Sequence, residues 1–281
     1  MLLTRVLTAV ALLPVILAAL FLASPGAWAL FALAIALASC WEWSRFCQFS
    51  EKGQAAYLAA SGAIGAYVWL LALRYAPGNF AALALTAFIL AAFFWMLGAP
   101  LWLARLARPS PSMRAVAGWL AIWPMWFALV VLRETSPWIL LAIAALVWVA
   151  DIAAYFAGKA FGRHKLAPAI SPGKTWEGVA GAMVGVVVYG LVLAWATRGR
   201  GTPLDAVFGA GDGLPAIAVM LLLAAMSVVG DLFESWMKRG VGLKDSSRLL
   251  PGHGGILDRI DALTAALPLA ALAMFFVEKI S

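Results

Sequence analysis

Charge is scarce in this chain: Asp, Glu, Lys and Arg make up 12% of its 281 residues, about half the share of a soluble globular domain. No long polar stretch remains from which a water-soluble catalytic domain could be built. Any chemistry therefore belongs in loops or at a membrane surface. Cysteine is limited to Cys40 and Cys47, which excludes a disulfide framework. Seven apart on or near one helix, with no further Cys and no His nearby, they read as packing residues and not as metal ligands. What abounds is apolar surface, 65% of residues with a mean hydropathy of +0.96. Disorder is excluded by that content. A membrane-spanning helix needs about 20 apolar residues, so the fitting class is an all-α, polytopic integral membrane protein.

Apolar runs broken by Gly, Pro and charge predict nine transmembrane helices, near 6–23, 26–44, 55–73, 80–103, 116–132, 137–158, 178–197, 214–232 and 260–277. Connections rich in basic residues alternate with connections nearly free of them. Because positive loops stay in the cytoplasm, the N-terminus is expected there. The inner side then holds Arg5, Arg45, Lys52, Arg105, Arg108, Arg114, Lys159, Arg163, Lys165, Lys174, Lys238, Arg239, Lys244, Arg248 and Arg259. The outer side holds only Arg74, Arg133, Arg198, Arg200 and Lys279, and nine spans put the C-terminus outside. The start of the chain, ending in Ala27-Trp28-Ala29, mimics a secretory signal. Its apolar run is too long for one and a second run follows at once, which favours an uncleaved first helix. The net charge of +7 fits this topology and attraction to anionic membrane lipids, with no nucleic acid as partner.

Residues 1–150 are expected to form a transmembrane scaffold with few ionisable groups, its Trp residues anchoring and packing the helices. Chemistry is expected in the catalytic region 151–281, in two cytoplasmic loops, 151–177 and 231–261. In the first loop Asp151 borders a membrane helix, a costly place for an ionisable group and so a functional candidate. Gly173-Lys174-Thr175 looks like the end of a P-loop, but Pro168 stands where that pattern needs Gly, and the pattern needs a strand before it. A helix entrance fits better: Ser171 caps, Pro172 takes the first helical position, and Lys174 with the free amides forms an anion site. Gly178, Gly181 and Gly185 have the spacing of close helix packing.

In the second loop, a helix continuing inward places Asp231, Glu234, Ser235 and Lys238 on one face. Asp258 and Asp261 share a face of the next helix. Carboxylates without Cys or ligand-spaced His select hard cations, and Mg²⁺ shared with substrate phosphate fits, with room for a second cation. Lys238, Arg239, Lys244, Arg248 and Arg259 give a cation density that matches polyphosphate. His253 suits a phosphate or proton-handling role, and Gly252, Gly254 and Gly255 let backbone amides approach an anion.

The run Ser235-x-Met237-Lys238-Arg239-x4-Lys244-Asp245-x-Ser247-x2-Leu250-Pro251-x-His253-Gly254-Gly255-Ile256-x-Asp258-Arg259-Ile260-Asp261 resembles the signature of the phosphatidate cytidylyltransferases. Segments 151–162 and 171–178 are similar to that family too, less diagnostically. The resemblance implies that CTP and phosphatidic acid give CDP-diacylglycerol and pyrophosphate at the cytoplasmic face of a bacterial-type inner membrane. On that reading Asp231 and Asp258 hold Mg²⁺, with Asp261 as a further ligand or supporting partner. Lys174, Lys238, Arg239 and Lys244 grip the triphosphate, Ser171 and Thr175 give neutral donors, and Asp245 and Arg259 join the substrate-binding set. A CTP-dependent transferase acting on a prenol-type lipid would need the same site. A transporter would place its charges at mid-membrane, often in repeats, and no repeat is present. The small-residue spacings allow contacts within one chain or across a homodimer.

Overall fold

A computed structural model describes residues 2–74, 77–106, 109–205, 207 and 214–280. Its helices are α1 (Leu2–Leu22), α2 (Pro25–Ser44), α3 (Glu51–Arg74), α4 (Pro77–Phe93), α5 (Ala99–Arg105), α6 (Pro111–Thr135), α7 (Pro137–Phe161), α8 (Trp176–Thr197), α9 (Leu214–Gly240) and α10 (Leu257–Ile280). Among the described residues, eight helices are long and apolar enough to cross a membrane, α4 and α5 counting as one, and α1 adds the apolar stretch Val10–Leu22. The chain is therefore an all-α integral membrane protein. The side chains of Arg5, Arg74, Arg108 and Lys279, which entered the charge count, lie outside those described.

Local rules explain the helix starts. Ser24, Ser110 and Ser136 each accept an amide of the following first turn, and a proline follows each in the first helical position. Between α4 and α5 the ladder widens into a π turn, Phe94–Gly98. Pro100 lies just beyond and has no N–H to continue the ordinary pattern. Ser171-Pro172 is a fourth Ser-Pro pair, and here the expected helix entrance is corrected. Ser171–Thr175 forms strand β2, antiparallel to β1 (Lys165–Ala167), and Thr175 caps α8 by accepting from the Gly178 amide at 3.1 Å. The hairpin holds Ser171 extended, so helix geometry begins only after Thr175.

Contacts across the helices fix their alternation. Thr8 at the start of α1 donates to the Pro251 carbonyl at 2.9 Å, Gln54 of α3 donates to Ser44 of α2 at 2.8 Å, and Arg114 of α6 donates to the Phe46 carbonyl at 2.9 Å. Trp102 of α5 meets Trp236 of α9. At the other end, Arg133 of α6 donates to the Leu20 and Ala23 carbonyls near the end of α1. The first ends of α1, α3, α6, α8 and α10 thus gather with the last ends of α2, α5, α7 and α9. That is the alternation which the loop charges call for.

Small residues bring the helices of the second half together. A Cβ on Gly181 would lie 2.2 Å from Ala157 Cβ, and one on Gly185 would lie 2.6 Å from Ala153 Cβ. These close contacts lie within one chain, between α7 and α8. On α9, a Cβ on Gly230 would lie 2.7 Å from the Asp261 carbonyl oxygen. Glycine there lets the α9 and α10 backbones approach where their acids stand. Fully buried Phe233 anchors the same end of α9 among Phe94, Trp95, Trp102, Trp236 and Trp43, with ring centroids 5.3–6.3 Å away. Cys40 and Cys47 are buried and not joined in a disulfide. Burial pushes the Cys47 thiol up to about 12, against the pull of Arg114, so it stays a neutral packing group.

Candidate active site

Two adjoining cavities occupy the end of the bundle where the two polar loops meet. The smaller, about 350 Å³, is lined by Asp151 of α7, Asp231 of α9 and Asp258 and Asp261 of α10, with Val147, Trp148 and Leu263 as its apolar wall. The larger, about 790 Å³, is lined by Lys244, Asp245, Ser247, Arg248, His253, Gly254 and the turn Leu250–Gly252. Arg259 borders both. An acidic chamber therefore opens beside a cationic one, the pairing needed where a metal and a polyphosphate meet.

The hairpin sets one wall. Glu177 accepts the His164 amide at 3.2 Å and contacts His164 Nδ1 at 2.6 Å, and the Trp176 amide donates to the His164 carbonyl at 2.9 Å. The strand leading into α8 is thereby clamped, and Lys174 Nζ meets Asp231 Oδ2 at 2.6 Å. Ser235 donates to the other Asp231 oxygen at 3.2 Å. Ser171 and Thr175 line neither cavity.

Asp258 is held from several sides. Its Oδ2 accepts from the Ser246 amide at 2.9 Å, the Ser246 hydroxyl at 3.0 Å and the Gly255 amide at 2.8 Å, while Lys238 Nζ lies 2.6 Å from Oδ1. Lys238 also meets Glu234 at 2.8 Å and is buried. Its charge is therefore balanced inside the protein. Gly255 gives its amide to Asp258, and a Cβ there would lie 1.9 Å from Ser246 Oγ and 2.4 Å from Glu42 Oε1. Gly255→Ala should accordingly lower thermal stability by about 1–3 kcal/mol or more, as overpacking does; an unchanged melting temperature in detergent would refute this. Gly254 has φ +85°, and its Cβ would lie 2.6 Å from Asp258 Oδ2. The turn before it closes through the Leu250 amide to the Gly254 carbonyl at 2.8 Å, which places His253 on the cavity wall. Arg239, outside both linings, donates to the Leu243 carbonyl at 3.1 Å.

Two residues outside the expected metal and substrate sets belong here. Asp151 lines the acidic cavity, as its place at the membrane edge hinted. Glu42, on α2, is fully buried and accepts four hydrogen bonds from the second loop. A lone acid between two Trp at the end of an apolar run was the available signal.

A profile of the cytidylyltransferase family matches residues 3–277, nearly the full chain. The chain belongs to the cytidylyltransferase family. It is 38% identical to the phosphatidate cytidylyltransferase of Pseudomonas aeruginosa over 285 residues, covering 98% of this chain and 97% of that relative. Identity to the enzyme of that name from Haemophilus influenzae is 34%, with 99% and 100% covered, and from Brucella suis 37%, with 96% and 92% covered. The match includes the first half, where the signature residues give no guidance.

Proposed function

We propose that this cytidylyltransferase transfers the cytidylyl group of CTP to phosphatidic acid, giving CDP-diacylglycerol and pyrophosphate. The observation that carries the reading is the junction at Arg259 of a four-aspartate cavity with a Lys- and Arg-lined one. The three bacterial relatives named above, matched over 92–100% of their length, bear the corresponding name. We place the site at the cytoplasmic face of a bacterial inner membrane, because the ends gathered there carry most of the basic residues.

A phosphate oxygen of the lipid attacks the α-phosphorus of CTP. That P–O bond forms as the bond from the α-phosphorus to the bridging oxygen breaks, and pyrophosphate leaves with the electron pair. The attacking oxygen is already anionic at neutral pH, so no nucleophilic side chain is needed. Lys244, Arg248 and Arg259 are placed to neutralise the triphosphate and the departing pyrophosphate. His253 and the Gly254 backbone shape the wall of that cavity beside Asp245. The apolar wall of Val147, Trp148 and Leu263 offers a side along which a lipid headgroup reaches the acidic chamber.

Among the described residues no three carboxylate, His or Cys side chains already stand in ligating geometry. The donor chemistry nevertheless fits a hard divalent cation. Asp231 Oδ2 and Asp258 Oδ1 each hold a lysine ammonium at 2.6 Å, so both oxygens already face a positive charge. We assign Mg²⁺ to Asp231 and Asp258, with Asp151 and Asp261 on the same cavity as further donors or as ligands of a second cation. When bound, Mg²⁺ would neutralise phosphate charge. Lys174, a quarter of whose side chain is exposed, would then be free to turn toward the substrate, while Lys238 keeps its buried partner Glu234.

The test is a purified-protein assay with labelled CTP, with and without Mg²⁺, offering phosphatidic acid and a prenol phosphate in competition. CDP-diacylglycerol formation that disappears with chelator is expected. Preferred labelling of the prenol lipid would move the protein to the other lipid class. Flux without chemistry in proteoliposomes would make it a transporter.

A further inference from the structure

The scaffold half supplies one buried acid to the site, and no step of the transfer uses it. Glu42 Oε1 accepts from Ser247 Oγ at 2.5 Å and the Ile256 amide at 2.9 Å; Oε2 accepts from Ser246 Oγ at 3.0 Å and the Leu257 amide at 2.7 Å. Among the described residues no Lys or Arg forms an ion pair with it. Its charge is met by donors alone, two of them amides at the α10 N-terminus, where the helix dipole favours an anion. The residues before α10 are Gly254, Gly255 and Ile256, none of which has a side chain able to cap. Glu42 takes that office from a helix more than 200 positions away in the chain.

We propose that Glu42 is a positioning residue for cytidylyl transfer, holding the start of α10 and Ser246 so that Asp258 is presented correctly to the metal and substrate. This rests on the assignment of Asp258 made above. The link is physical. Ser246 Oγ stands 3.0 Å from both Glu42 Oε2 and Asp258 Oδ2 and has a single proton to give. Asp258 also takes the amide of Gly255, directly before the two residues whose amides Glu42 holds. A change at Glu42 therefore reaches Asp258 by the shared hydroxyl and by the backbone. Gly255 completes the arrangement, since any Cβ would collide with both Ser246 and Glu42. A simple staple between α2 and the loop would affect stability only; this arrangement also sets a ligand.

The experiment compares full-length Glu42→Gln, Ser246→Ala and the double variant with the parent in detergent. Mn²⁺ affinity is read by electron paramagnetic resonance, and kcat and KM for CTP are taken per folded molecule. Gln keeps the volume but removes one acceptor. Mn²⁺ binding should weaken roughly tenfold and kcat should fall roughly tenfold, with KM for CTP within about twofold. Ser246→Ala should give a smaller loss of the same kind, and the double variant no more than Glu42→Gln alone. Should Glu42→Gln fail to fold, Ser246→Ala decides: parental Mn²⁺ affinity and kcat there overturn the proposal, and a loss of both upholds it. An active parent with parental variants sinks this inference alone. A parent that neither binds Mn²⁺ nor transfers cytidylyl groups overturns the functional reading beneath it.

Discussion

Asp258→Asn is expected to insert and fold normally yet lose turnover by roughly 10²–10³-fold, the scale of removing one charge-stabilising group from a preorganised site. The amide can keep its oxygen toward the Ser246 and Gly255 amides, 2.9 and 2.8 Å away in the parent, so the turn before α10 survives. Its NH2 then faces Lys238, which retains Glu234 at 2.8 Å. What is lost is the negative oxygen facing the acidic cavity. The measurement is the initial rate of CDP-diacylglycerol formation at saturating CTP across a Mg²⁺ titration, normalised to folded protein by gel filtration. Asp205→Asn is the control: Asp205 accepts the Gly201 amide at 3.1 Å in the connection after α8, far from both cavities, and should behave as the parent. Turnover of Asp258→Asn within about threefold of the parent would remove Asp258 from the metal site.

The sequence made the membrane class and eight of the nine expected spans legible because a spanning helix advertises itself by length and apolarity. The Ser-Pro starts of α2, α6 and α7 follow from capping chemistry alone. The same chemistry misled at Ser171-Pro172, because the partner strand Lys165–Ala167 lies only a few residues upstream and a hairpin outcompetes a cap. Convergence of Asp231 with Asp258 and Asp261 was readable as facing acids on successive helices. The reason they can meet, Gly230 against the Asp261 carbonyl, is a close approach that no spacing rule specifies. Glu42 was hidden for another reason: an isolated acid on an apolar helix carries no motif, and its partners lie more than 200 residues away. Lys238 was legible as a site residue, but its two carboxylate partners show only in three dimensions, and they change what it is expected to do.

Lys238→Met should therefore cost stability more than substrate affinity. In the folded protein Lys238 Nζ lies 2.8 Å from Glu234 and 2.6 Å from Asp258, and the side chains of both partners are at least 96% buried. Removing the cation leaves two carboxylates facing each other in a poorly solvated place, a loss on the order of 3–5 kcal/mol. For a chain of this size that is a fall on the order of 10 °C in the melting temperature. Adding Glu234→Met to it should restore much of the loss, because the remaining carboxylate, Asp258, keeps its two amide donors and the Ser246 hydroxyl. A lysine whose main task is to grip the triphosphate would give the opposite pattern: KM for CTP up by an order of magnitude, the melting temperature nearly unchanged, and no rescue by the second substitution. Thermal unfolding of the single and double variants in detergent, beside CTP saturation curves, separates the two, and the burial of all three side chains argues for the first.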